Sequence, residues 1–159
     1  MSAAIVSIGT ELTRGELLNG NARYLGERLT ELGFDVIEHA TVADDLDRIV
    51  QTLDRLCRET RVVVCTGGLG PTSDDITAAA VARALGVPLV RDRAALEALE
   101  ERYRIQKRVM LDMLRKQADF PEGASVLSNA VGSAPGFAVT LHGSRAFFMP
   151  GVPKEMTYI

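Results

Sequence analysis

A chain of 159 residues, 47% hydrophobic and 25% charged, can bury one globular core without disulfides or metal staples. Its net charge of −3 offers no general attraction to nucleic acid or to an anionic membrane surface. No apolar run approaches the roughly 20 residues that cross a bilayer, and Met1 to Ile5 carry neither the basic region nor the apolar core of a signal peptide. Cys57 and Cys65 lack metal-ligand spacing and read as reduced core thiols of a cytoplasmic protein.

In chain order, residues 3–8 predict a buried strand that breaks at Gly9-Thr10-Glu11. A loop follows, in which Asn19 or Asn21 can cap a helix over about 21–32. That helix places Ala22, Leu25, Leu29 and Leu32 on one face and ends at Gly33. Residues 34–42 predict a second strand. Asp45 or Asp47 then opens a helix with Ile49, Val50, Leu53, Leu56 and Cys57 on one side. A third strand, 61–66, runs into a glycine-rich loop, and a helix over about 74–85 ends at Gly86. Residues 87–90 read as a short strand or an extended linker, and Pro88 argues against a central position in the sheet.

A charged amphipathic helix is expected from Asp92 to about Lys107. Residues 109–114 are apolar on more than one side, which predicts cover by another element or by a partner subunit. Short strands follow at 124–127, 136–141 and 145–149, the last two joined by a hairpin turn at His142-Gly143-Ser144. Pro153 reads as the first position of a further helix. Strands alternating with helices, then a small antiparallel ending, define a three-layer α/β/α fold with a mostly parallel sheet, one domain over 1–159. In such sheets ligands bind at the carboxyl ends of the strands. The loops at 9–21 and 67–75 should therefore open on one rim, with 128–136 and 150–155 as further candidates.

The stretch Val62-Val63-Val64-Cys65-Thr66-Gly67-Gly68-Leu69-Gly70-Pro71-Thr72-Ser73-Asp74-Asp75 carries the chemistry. An unalternating β-branched run suits a strand buried on both faces. Glycines at 67, 68 and 70 allow close approach of a ligand to the backbone. Thr72, Ser73 or Asp74 can cap the next helix, whose N-terminus would attract phosphate. The adjacent carboxylates of Asp74 and Asp75 would hold a divalent cation bridging a pyrophosphate. The plainer alternative is that the glycines serve only the turn and the aspartates only cap the helix. The stretch matches neither the P-loop nor the Gly-x-Gly-x-x-Gly pattern.

Four loop motifs taken together, Gly9-Thr10-Glu11-Leu12-x-x-Gly15, Asn19-x-Asn21, the Gly67 to Asp75 loop and Pro150-Gly151-Val152-Pro153-x-Glu155-Met156, resemble the N-terminal domain of CinA proteins. Pro121-Glu122-Gly123-Ala124 and Asn129-x-x-Gly132-x-Ala134-Pro135-Gly136-Phe137 fit the same family. The resemblance spans the whole chain and implies the molybdopterin-binding fold of MoaB and MogA. It implies a pyrophosphatase that hydrolyses ADP-ribose, or a related dinucleotide such as FAD, to AMP and a sugar phosphate. It also implies a divalent metal (Co²⁺, Ni²⁺ or Mg²⁺), K⁺, and a homo-oligomer, dimer or trimer, with neither nucleic acid nor membrane as partner. Full-length CinA proteins usually add a deamidase domain that this chain does not carry, and the short run after Pro153 suggests a fragment. Where the family usually carries an Asn before its Lys-Gln pair, this sequence has Leu114, which puts activity in question.

Carried onto these residues, the resemblance assigns Asp74, Asp75 and Glu11 to the metal, with Glu11 alternatively the base that activates water. Gly9, Thr10, Gly67, Gly68, Leu69, Gly70, Thr72, Gly132, Pro135, Gly136, Pro150 and Gly151 would line the substrate. Asn19 and Asn21 would bond its sugar or a phosphate, and Lys116 and Lys154 would stabilise negative charge. The runner-up is a molybdopterin-binding or adenylyl-transfer module like MoaB and MogA, and a third reading is a catalytically silent regulatory domain.

Overall fold

The computed structural model describes residues 1–159. Strand β1 (Ser2–Ile8) is buried from Ala3 onward, and its alternate residues enter two different cores. Ala4, Val6 and Ile8 face one, Ala3 and Ile5 the other. That two-sided burial is why the run needs no polar alternation. β1 pairs in parallel with β2 (Asp35–Val42) on one edge and with β3 (Val62–Thr66) on the other. β3 pairs in parallel with β8 (Ser144–Met149). β7 (Gly136–Leu141) and β6 (Ser125–Leu127) complete the sheet as antiparallel neighbours, in the order β2-β1-β3-β8-β7-β6.

Helix α2 (Gly20–Glu31) covers one face with Ala22, Leu25 and Leu29, joined by Met156 of α6 (Pro153–Met156). On the opposite face α3 (Leu46–Glu59) contributes Ile49, Leu53, Leu56 and Cys57, α4 (Thr77–Leu85) Ala80 and Val81, and α5 (Arg93–Ile105) Ala95. The three-layer α/β architecture is thus as expected. Of the two caps considered for each helix, Asn19 accepts from the Ala22 N–H and Asp45 from the Arg48 N–H. No helix is long and apolar enough to cross a membrane.

Three features differ from the sequence reading. A one-turn helix, α1 (Thr10–Thr13), occupies part of the expected 9–21 loop. The short strand β4 (Leu89–Arg91) pairs antiparallel with an unexpected β5 (Asp119–Pro121), outside the main sheet, and Arg91 clasps Asp119 through Nε and Nη2 at 2.7 and 2.9 Å. Three residues ending in proline carry no readable strand signal. The apolar run after α5 is not covered by this chain: Val109, Leu111 and Met113 are 83%, 56% and 52% exposed. It leads into a 3₁₀ segment, Asp112–Ala118.

β5 is anchored through Phe120, whose ring meets Phe137 edge-on at 5.7 Å, while Phe137 stacks on Phe148 at 4.7 Å. Phe137 and Phe148 are direct partners across β7 and β8 and are fully buried. Truncating Phe137 to Ala should cost about 3–5 kcal/mol, read as a lower urea midpoint. Burial pushes the Cys57 thiol up to about 11 and raises Cys65 well above the usual thiol range. The folded state therefore holds protons that the unfolded chain releases, so stability present below pH 9 should decline as pH rises toward 11. Denaturation midpoints across that window, compared with Cys57→Ala, test this: the variant should show the smaller decline.

Candidate functional site

Ser7 pairs with Thr66, and Thr66 with Met149, so β1, β3 and β8 end side by side. The loops that follow them frame a cleft of about 1190 Å³. It gathers Gly9, Thr10, Glu11, Asn19, Asn21, Gly67, Gly68, Leu69, Gly70, Thr72, Asp74, Asp75, Pro150 and Gly151. Most of the loop residues singled out in the sequence thus share one cavity at the carboxyl ends of the parallel strands.

The Gly67 to Asp75 loop begins with a turn only glycine can take. Gly67 has φ +106°, and a Cβ there would collide with the carbonyl oxygen of Ile8. Its N–H donates to the Met149 carbonyl at 3.0 Å. The Thr77 N–H and Oγ1 then donate to the carbonyls of Gly68 and Gly67 at 3.1 and 2.9 Å. Helix α4 consequently starts at Thr77 with Ile76 as an N-cap that makes no side-chain bond. This corrects the expectation that Thr72, Ser73 or Asp74 caps the helix. In the loop itself, the N–H groups of Gly68, Leu69 and Gly70 have no acceptor in the protein.

Asp75 folds back across Gly70, where a Cβ would lie 2.6 Å from Oδ2. That oxygen accepts from the Thr72 N–H at 2.8 Å and the Thr72 Oγ1 at 2.7 Å. A second Thr–Asp bracket closes the loop after β1. Asp44 Oδ2 accepts from the Thr10 N–H and Oγ1, both at 2.8 Å. Asn21 Nδ2 donates to Thr66 Oγ1 and to the Gly151 carbonyl at 3.1 and 2.8 Å, tying α2 to the third loop. Asn19 caps α2 and accepts from Ser7 Oγ at 3.3 Å. Both asparagines thus hold the frame with the groups expected to meet ligand.

Glu11, Asp74 and Asp75 do not converge, and no three acidic, histidine or cysteine side chains form a metal-binding group. Glu11 lies over Gly9, in α1. Asp74 and Asp75 are adjacent in the loop, and Oδ2 of Asp75 is engaged by Thr72. Lys116 does not line the cleft; its Nζ donates to the Thr72 carbonyl from behind the loop. Lys154 is exposed, Gly132 is packed against Glu155, and Pro135 and Gly136 lie outside the cavity, as does the half-buried Leu114.

Sequence reasoning missed Asp44, Gln117, Ser133 and Glu155, all on the cleft. Asp44 could have been found, since it follows a strand parallel to β1 and so must reach the same rim. Glu155 lies within the quoted Pro150 to Met156 motif. Its Oε2 accepts from Asn129 Nδ2 at 2.7 Å, latching the 128–135 loop to the start of α6.

A mostly parallel α/β domain with a glycine-rich loop at its strand ends falls in the class whose ligand cleft opens outside the carboxyl ends of the strands. The family model described as "Probable molybdopterin binding domain" matches residues 4–159, and the chain belongs to that family. Within it, the chain is 41% identical to a CinA-like protein of Kosmotoga olearia over 156 residues and 45% identical to a putative competence-damage inducible protein of Desulforamulus reducens. In each case the match covers 98% of this chain and 38% of the relative's length. Crystallographic CinA from Thermoplasma acidophilum, of unknown function, superposes with a TM-score of 0.92 at 34% identity, over 99% of this chain and 92% of that one. MoaB from Thermus thermophilus shares the fold at TM-score 0.61 and 20% identity, over 98% of this chain and 84% of that one.

Gly67→Ala forces a side chain into a positive-φ position against a backbone oxygen. It should lower stability by more than about 1 kcal/mol, whereas Gly15→Ala, with open space around it, should cost less. Paired urea titrations measure the difference.

Proposed function

We propose that the cleft binds a phosphorylated small molecule of the molybdopterin class. The observation that carries this reading is the trio of unpartnered N–H groups at Gly68, Leu69 and Gly70, held in a cavity of about 1190 Å³, ample for a nucleotide-sized ligand. Membership of the molybdopterin-binding family supports it. In this reading the loop N–H groups receive the phosphate, and the two Thr–Asp brackets keep the loops in place before ligand arrives. Little ordering is then left for binding to accomplish.

The Asp74–Asp75 pair beside those N–H groups supports a second reading, a pyrophosphatase that cleaves ADP-ribose or a related dinucleotide such as FAD to AMP and a sugar phosphate. Asp74 and Asp75 would hold the divalent ion, Co²⁺, Ni²⁺ or Mg²⁺, and K⁺ would accompany it. The ion would supply charge neutralisation and an activated water. Glu11, on the same cleft, is the base candidate in this scheme. Self-association belongs to the proposal as well: Ile105, Val109, Leu111 and Met113 form an exposed apolar run that a second copy would cover.

One experiment separates the readings. Protein is incubated with ADP-ribose or FAD, with and without each metal and K⁺, and AMP is followed by chromatography; molybdopterin binding is measured in parallel. Metal-dependent AMP release, reduced at least about 100-fold in Asp74→Asn, establishes the pyrophosphatase. Asp74 is the cleaner position because its only side-chain hydrogen bond is a 3.5 Å contact from Ser73, whereas Asp75→Ala also releases Thr72. Binding of molybdopterin without AMP release establishes the binding module, and failure of both overturns the proposal.

A further inference from the structure

Gln117 closes the 3₁₀ segment and is the one strongly buried carboxamide on the cleft wall, with 5% of its surface exposed. Its Nε2 donates to Ser133 Oγ at 3.2 Å. Its Oε1 is buried with no hydrogen-bond partner. The amide thus makes one of the four hydrogen bonds its atoms can form. A buried acceptor in this state is a cost to the folded protein, and nothing in the packing relieves it.

The surroundings give that orphan a role. Neighbouring Lys116 binds the carbonyl of Thr72 in the phosphate loop, while Gln117 binds Ser133 in the 128–135 loop. Both loops face the same cleft, so the 3₁₀ segment bridges its two walls. Asn129 and Glu155 hold the far side of the 128–135 loop, but Ser133 is held to Gln117 by a single bond from the amide. A ligand seated by phosphate on the Gly68 to Gly70 N–H groups needs a further contact to define which ring it carries. A carboxamide is suited to this: its oxygen accepts from an exocyclic amino group while its NH₂ donates to the adjacent ring nitrogen, the pairing glutamine makes with adenine.

We propose that Gln117 is a specificity-determining residue, whose Oε1 accepts a hydrogen bond from the exocyclic amino group of the ligand's nitrogen heterocycle once the Ser133 contact opens. This rests on the reading of the cleft as a phosphorylated-ligand site. The shared chemistry is an amino group next to a ring nitrogen, present in adenine and also on the pyrimidine half of guanine and of pterins.

The test uses two ligand pairs that differ only in that amino group. AMP is compared with purine riboside 5′-monophosphate, and GMP with IMP, by calorimetric titration in Mg²⁺ buffer. Inorganic pyrophosphate is the ring-free control, and thermal midpoints report folding. The wild-type protein should favour the amino-bearing member of one pair by roughly tenfold, the scale of one well-made hydrogen bond. A preference within the first pair identifies an adenine-type ligand, within the second a pterin- or guanine-type one.

Gln117→Met should erase that preference, leave pyrophosphate affinity within about twofold and not lower the midpoint, since it removes an unpaired acceptor. Gln117→Glu keeps an acceptor oxygen and should retain part of the preference, which covers the case of a poorly folded methionine variant. Retention of the full preference in Gln117→Met overturns the inference. So does a parallel loss for pyrophosphate, which marks a purely structural role. If pyrophosphate binds but wild type discriminates neither pair, Gln117 is not the reader and the cleft reading stands. If neither pyrophosphate nor any nucleotide binds, the cleft reading fails and this inference with it.

Discussion

The site depends on the hemming of β3 between two parallel neighbours. Val62 to Thr66 pairs residue for residue with β1 on one side and with β8 on the other. Parallel strands that end in register must release their connections on the same rim, so three loops from distant parts of the chain have no choice but to meet. Close packing then narrows the choices at the junction. A Cβ on Gly67 would collide with the carbonyl of Ile8, and one on Gly151 would touch Gly67, so the three loop bases crowd together. A cavity formed this way is set by backbone, and side chains are left to tune it.

The tuning is done by short polar side chains that satisfy backbone groups the turns would otherwise leave open. Thr10 with Asp44 and Thr72 with Asp75 make the same bracket, one aspartate oxygen receiving both the threonine N–H and its hydroxyl. Charge-assisted bonds of this kind are stronger than neutral ones. The N–H groups of Gly68 to Gly70 remain without acceptors in the same loop. In the proposed reading, the preparation for a phosphate would lie in which backbone groups are already occupied.

The sequence revealed what repeats locally. The unalternating Val62 to Cys65 run and the Ile49, Leu53, Leu56, Cys57 stripe are periodicity signals, and both ended in the core as expected. The loop motifs were readable because they follow strands directly. What stayed hidden depends on partners far along the chain or on bonds that compete with local preference. Asp44 acts on Thr10, 34 positions away. Asp75, a natural helix cap by composition, instead turns back to Thr72, and α4 starts two residues later. Phe120 reveals its strand only once Phe137 is in place beside it. Gln117 gives no local sign that its amide will be buried and half-satisfied.

The sheet order also bears on how the molecule is made. β8 is synthesised after the other strands of this sheet, yet it occupies the interior, and Thr66 reaches 84 residues forward to bond Pro150. Until residues 144–149 are synthesised, β3 has an open edge, with Val63 and Cys65 on a core that Phe148 has not yet closed. An open apolar edge is a template for pairing with another chain, and contacts this distant in sequence form slowly. The nascent sheet therefore carries its greatest hazard of misassociation before residues 144–149 emerge, and the strand that completes the cleft is the same strand that ends that exposure.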